Sequence, residues 1–172
     1  EAQDKSVSNK INFSLAWIYF QQNNYDEAYK KFNQLSESSD DSLKIPSLFW
    51  SGECKRYLGD VKSAGAIFKQ FIEKYPGHPL ASRAQLSIGS VYFNQSNRAD
   101  AEKALLNATI SDDKTTRGRA YTLLGEMRLN RKIFDDAKRY FLEAVKLTPN
   151  QSELNNRAVL GLAVAEFYLN NY

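Results

Sequence analysis

Apolar and small positions recur along this chain in fixed columns separated by polar breaks. One column of small residues runs through Ala16, Gly52, Gly89, Gly125 and Ala163, at separations of 36, 37, 36 and 38 residues. A second column is alanine throughout, Ala28, Ala64, Ala101 and Ala137, at separations of 36, 37 and 36. Four residues after each alanine stands a large apolar side chain, Phe32, Phe68, Leu105 or Phe141. Just ahead of the first column sits Leu15, Ile88, Leu124 or Leu162, with Ser51 as the exception. Between the two columns the pattern breaks at Asn23-Asn24, Gly59-Asp60 and Ser96-Asn97. Asn24, Asp60 and Asn97 then lie one turn ahead of the alanines, where a side-chain oxygen can accept from the free N–H groups of a new helix. Glu27 follows Asn24 at capping-box spacing. Each unit therefore reads as a helix, a tight turn and a second helix, closed by a further polar break (SSDDS, YPGHP, SDDKT or TPN). All four prolines, Pro46, Pro76, Pro79 and Pro149, fall at or beside these outer breaks, as expected when a mid-helix proline costs about 3 kcal/mol. The pattern predicts nine helices, roughly 5–22, 25–38, 43–58, 61–75, 79–95, 98–110, 115–130, 133–147 and 151–170, and no strand. The fold class is all-α.

Tyr19 and Tyr92 follow the small column by three residues. With that tyrosine, the order of small residue, alanine, aromatic and proline resembles the tetratricopeptide repeat family, whose pattern has a period of about 34 residues. The resemblance covers nearly the whole chain as a single array. Repeats fall near 9–44, 45–81, 82–117 and 118–155, and 156–172 is the first helix of a fifth. It implies a right-handed solenoid of antiparallel helix pairs. The departures are specific. The tyrosine column reads Lys55, Arg128 and Glu166 in three units, Asp40 and Asp113 replace the outer proline, and the period is longer by two or three residues. The run from Phe71 to Phe93 is similar to repeats of bacterial cell-envelope proteins, notably the outer-membrane assembly lipoprotein and the periplasmic partner of the Tol-Pal system. Phe71, Ile72, Tyr75, Pro76, Pro79, Ala81, Ala84, Ile88 and Gly89 carry that likeness. It implies a periplasmic or envelope-associated setting, with a cytoplasmic one as the alternative. Similarities also recur 73 residues apart, Tyr19-Phe20 with Tyr92-Phe93 and Gly52-Glu53 with Gly125-Glu126. Either a two-repeat unit was duplicated or favoured residues coincide.

Composition narrows the classes of function. Hydrophobic residues make up 42% and charged residues 25%, enough apolar mass for a sizeable core. The net charge of +3, without a block of one sign, points to neither nucleic acid nor an anionic membrane. The lone Cys54 excludes an internal disulfide, and with the lone His78 it cannot form a zinc site of the usual kind. His78 lies between Pro76 and Pro79 in an outer turn, with no nucleophile near it in the pattern. Asp40-Asp41, Asp112-Asp113 and Asp135-Asp136 sit at turns and helix starts, where they read as caps. No glycine-rich phosphate loop is present. Cys54 shares its column with Met127 and reads as a small buried hydrophobe. No catalytic residue, cofactor or metal is expected, and the chain reads as a non-enzyme.

By analogy with the family, the first helices line a concave groove. Its candidate positions are Lys10, Phe13, Trp17 and Phe20 in the first unit, then Phe49, Glu53, Arg56 and Tyr57 in the second. Arg83 and Phe93 follow in the third, Arg119 and Glu126 in the fourth, and Arg157 and Phe167 in the last helix. Aromatics mixed with arginines suit recognition of a protein or extended peptide. This makes the chain a scaffold or adaptor, in envelope assembly by resemblance. The alternatives are an accessory subunit of an enzyme or polysaccharide-export complex and a cytoplasmic regulatory adaptor. Lys10, Arg83, Arg119 and Arg157 occupy one early position of four first helices, where a cation opposes the helix dipole. They form either a basic strip for an acidic partner or surface ion pairs with Asp40, Asp41, Asp112 and Asp113. Chaperone-binding members clamp a terminal carboxylate at positions that hold Phe13 and Trp17 here, so such tails are not expected to bind. The end of the chain repeats its beginning, LAVAEFYLNNY against LAWIYFQQNNY. The sequence thus reads either as a segment of a longer array or as one closed by its ninth helix as a cap, and its apolar end, Leu160 to Leu169, is expected to find a partner such as a second copy.

Overall fold

The computed structural model of the chain describes residues 2–149 and 152–170. Among these the chain forms nine helices and no strand: α1 (Ala2–Gln21), α2 (Tyr25–Leu35), α3 (Asp41–Tyr57), α4 (Val61–Lys74), α5 (Ala81–Asn94), α6 (Arg98–Ala108), α7 (Lys114–Leu129), α8 (Phe134–Leu147) and α9 (Ser152–Asn170). Two compact units divide the chain, Glu1–Ala84 and Gln85–Tyr172. In the first unit α2 packs on both α1 and α3, α3 packs on α4, and α1 touches α3. In the second, α7 packs on α6 and α8, and α9 rests on α8 and α7.

The small columns exist because helices of a pair approach too closely for a larger side chain. A Cβ at Gly52 would lie 2.8 Å from Phe68 Cε1, one at Gly89 2.8 Å from Leu105 Cδ2, and one at Gly125 2.7 Å from Phe141 Cε1. Ala28, Ala64, Ala101 and Ala137 are all fully buried. Around them, Ala16, Ala28, Phe32 and Cys54 form a core in the first unit. In the second, Ala101, Leu105, Leu124 and Met127 form one cluster, and Ala137, Phe141, Ala144, Ala158 and Ala165 another. The fifth member of the small column is a correction: Ala163 is exposed. Each glycine of the column meets the second helix of its own pair, whereas α9 packs on the helices that precede it. The close approach on α9 is made by Gly161, whose Cβ would fall 2.3 Å from Phe141 Cζ.

The inner turns share one backbone device. Asn23, Gly59, Ser96 and Lys132 all adopt positive φ, between 58° and 76°, just before a helix N-cap. Asn24 and Asp60 then cap α2 and α4 through the N–H groups of Glu27 and Ser63, at 3.5 and 3.1 Å. Asn97 does not cap α6 as expected; its side-chain amide donates to Asp100 instead, at 2.8 Å. The Glu27 carboxylate is likewise turned to Lys30, 2.6 Å away. At the outer breaks, Asp40 and Asp113 do what a proline cannot. Asp40 accepts from Ser42 N–H at 3.0 Å, and Asp113 accepts from both Thr115 and Thr116 N–H at 3.1 and 3.0 Å. Capped by Asp40, α3 starts two residues before the expected position 43, and Pro46 lies within the helix rather than beside the outer break. There it removes one backbone donor from the second turn.

The charged residues that interrupt the tyrosine column each find a partner on a neighbouring element. Lys55 sits 3.3 Å from Asp60 and 4.2 Å from the Tyr29 ring centroid. Arg128, mostly buried, bonds Glu102 of α6 and lies 3.5 Å from Asp136 of α8, within ion-pair reach but too far for a hydrogen bond. Glu166 pairs with Lys138 at 3.2 Å. At all three positions an ion pair links a first helix to a neighbouring element.

Candidate functional site

In the first unit, aromatic rings fill the seam where α1 and α3 meet. Trp17 and Trp50 lie edge to face with centroids 4.3 Å apart, and Phe20 touches Trp50 at 5.1 Å and Tyr57 at 5.5 Å. Tyr25 stacks on Tyr57 at 4.7 Å, with ring planes 11° apart. Beneath this layer, Phe13 and Trp17 pack edge-on against the buried Phe32 of α2. Trp17, Phe20 and Trp50 pack on the core that contains Phe32 yet remain partly open, and Tyr57 is 49% exposed. Rigid, partly open aromatics of this kind supply binding surface at little cost in side-chain entropy.

Two arginines border the rings. Arg83, in the first turn of α5, lies over Phe49 and Trp50 at 5.2 and 5.3 Å from their centroids. Arg56 lies 4.2 Å from the Tyr57 centroid and donates twice to Glu53 Oε2, at 3.1 and 2.7 Å. Burial works against the Arg56 charge, but the Glu53 carboxylate and Tyr57 together outweigh it and hold the guanidinium pKa above its ordinary value. Of the expected groove residues in this unit, Phe49 and Glu53 are buried, so they support the surface from within. Lys10 is exposed, and its charge is a minor contributor, behind the Ser42 hydrogen bonds, to lowering the Asp40 carboxyl pKa. Trp50 and Tyr25 escaped the sequence reading. Trp50 sits one position after the expected Phe49, and a spacing of 33 from Trp17 was the available signal.

In the second unit the expected residues are dispersed. Phe93 packs against the Leu105 and Leu124 cluster. Glu126 takes two hydrogen bonds from Arg157, at 2.5 and 2.6 Å. Arg119 is exposed, and Phe167, 62% exposed, stands edge-on to Tyr168. Neither Arg83 nor Arg157 pairs with the aspartate turns: one is stacked on rings and the other is held by Glu126.

The remaining chemistry-bearing residues have structural places. His78 Nδ1 accepts from Leu80 N–H at 3.1 Å, and its ring stands edge-on to Phe71. Cys54 is buried, and burial pushes its thiol pKa up to about 12. Among the described residues, no group of His, Cys, Asp or Glu is placed to hold a metal, and no helix is long and apolar enough to cross a membrane.

Tetratricopeptide repeat models match residues 12–42, 47–78 and 86–152. The chain belongs to the tetratricopeptide repeat family. Solved structures agree on the fold of this repeat protein at low identity. A crystal structure of MamA protein has a TM-score of 0.68 and 17% identity, over 94% of this chain and 88% of that one. MamA 41-end from Desulfovibrio magneticus RS-1 gives 0.68 and 16%, over 95% and 96%. A putative kinesin light chain with TPR-like repeats from Podosopora anserina gives 0.70 and 15%, over 94% and 86%. No curated protein sequence matches the chain.

Proposed function

We propose that this repeat protein is a non-enzymatic scaffold or adaptor that holds a segment of another protein against its first helices. The observation that carries the reading is the aromatic seam of the first unit. Trp17, Phe20 and Trp50 pack on the core that contains Phe32 and Phe20 touches Tyr57, yet all four rings remain at least partly open. Membership in a family of stacked helix pairs supports it, because such arrays use their first-helix faces as extended binding surfaces. The envelope setting rests on the likeness of residues 71–93 to envelope repeat proteins, and a role in envelope assembly is the finer form of the proposal. Affinity capture from the source cell tests it: the wild-type chain retains a partner that the Trp17→Ala and Trp50→Ala variants lose. A partner retained equally by all three would place the binding surface elsewhere.

A further inference from the structure

Resting on that reading, the seam also carries a charge preference. Four other arginines are committed: Arg56 to Glu53, Arg128 to Glu102 and Asp136, Arg139 to Asp136, and Arg157 to Glu126. Arg83 borders the only aromatic seam of the first unit that contains both tryptophans, and among the described residues no carboxylate pairs with it. Its guanidinium carbon lies 5.2 and 5.3 Å from the Phe49 and Trp50 ring centroids, within cation–π reach of both, which holds the group beside the seam. The donors along its edge remain for a partner. The acid nearest Trp50 in sequence, Glu53, is buried and bonded to Arg56, so the pair adds no net charge beside Arg83. The surface is therefore a positive, planar donor beside an aromatic shelf.

We infer that the seam takes an extended acidic segment of a partner protein. A side-chain carboxylate of that segment bonds Arg83, and a large apolar side chain beside it packs on Trp50 and Trp17. A carboxylate matches the guanidinium edge, while a phenyl, indole or isobutyl group matches the rings. The apolar side chain excludes water from the ion pair and strengthens it.

The test uses the full chain, immobilised, and a random dodecapeptide library displayed on phage. Each peptide's C-terminus is joined to the coat protein, so any acid preference comes from side chains. Selected peptides carry Asp or Glu within about three residues of Trp, Phe or Leu. The acid enrichment disappears on Arg83→Gln, which keeps the apolar preference, and survives on Arg83→Lys. With one selected peptide synthesised, Glu→Gln in the peptide weakens binding about tenfold to the wild-type chain and has no further effect on Arg83→Gln. Emission from Trp17 and Trp50, the only tryptophans, reports the titration. Peptides that need the seam, judged by loss on Trp50→Ala or on the more exposed Tyr57→Ala, but show no acid enrichment, overturn this inference and leave the binding reading standing. Peptides indifferent to both seam variants, or none selected at all, overturn both.

Discussion

Replacing Gly125 by alanine isolates the packing that makes the repeat period necessary. In an open helix the change stabilises by about 1 kcal/mol, because glycine is the poorer helix former. Here the new Cβ would lie 2.7, 2.8 and 2.9 Å from three atoms of the Phe141 ring. The ring is fully buried and cannot retreat, since Gly161 of α9 is equally tight on it, with Cβ distances of 2.3 to 2.7 Å. Overpacking of this kind costs about 1–3 kcal/mol. With the ring held from both sides, the upper part of that range applies, and the net loss is about 1–2 kcal/mol. Urea unfolding followed by far-ultraviolet circular dichroism measures it. Repeating Gly125→Ala in a Phe141→Ala background, itself about 3–5 kcal/mol less stable, makes the sign reverse: with the ring gone, alanine stabilises. If Gly125→Ala raises the urea midpoint of the otherwise wild-type chain, or if its effect is the same in both backgrounds, the close-approach account of the small column is wrong.

Cys54 gives the alkaline stability profile a defined sign. Its folded-state pKa of about 12 lies above the ordinary 9.0, so the folded chain binds its proton more tightly and this contribution is complete below pH 9. Stability relative to Cys54→Ala should fall between pH 9 and about 12, and thiol reagents should modify the native protein only as fast as it opens; parallel profiles or immediate modification would contradict this. Asp113→Ala removes the acceptor of two N–H groups and should cost about 1 kcal/mol. Asn97→Ala, which loses no cap bond, should be close to neutral by the same urea assay. Glu102→Ala leaves the mostly buried Arg128 with Tyr140 and the more distant Asp136 and should cost about 1 kcal/mol, less at high salt; no change in midpoint would mean the pair is idle.

The helices were legible because their signal is redundant. Small residues, alanines and large apolar residues recur at fixed offsets, so an error in any one column is corrected by the others. What escaped is what a column cannot encode. Ala163 fills the small position of α9, yet the contact with Phe141 falls to Gly161, because which neighbour a helix meets depends on the helices already stacked before it. Asn97 has the right side chain for a cap, but its amide nitrogen donates to Asp100 one turn away and its oxygen takes no N–H of the helix. Asp40 caps α3 and the helix starts two residues sooner than expected, which sets Pro46 deeper inside it and away from the outer break. In the candidate site, family offsets pointed to Phe49 and Glu53, which lie buried, and passed over Trp50. One helical position is about 100° of rotation, enough to carry a neighbouring residue from the core to the seam.

The central claim is that a partner sits on the aromatic seam of the first unit. Its most direct test places a photo-crosslinking benzophenone side chain at Tyr57, half exposed beside Phe20 and Trp50, and in a separate variant at Lys69, on the exposed side of the second helix α4. Irradiation in the source cell should join a partner protein to the Tyr57 variant and leave the Lys69 variant free. The same adduct from both positions, or from Lys69 alone, would contradict the account.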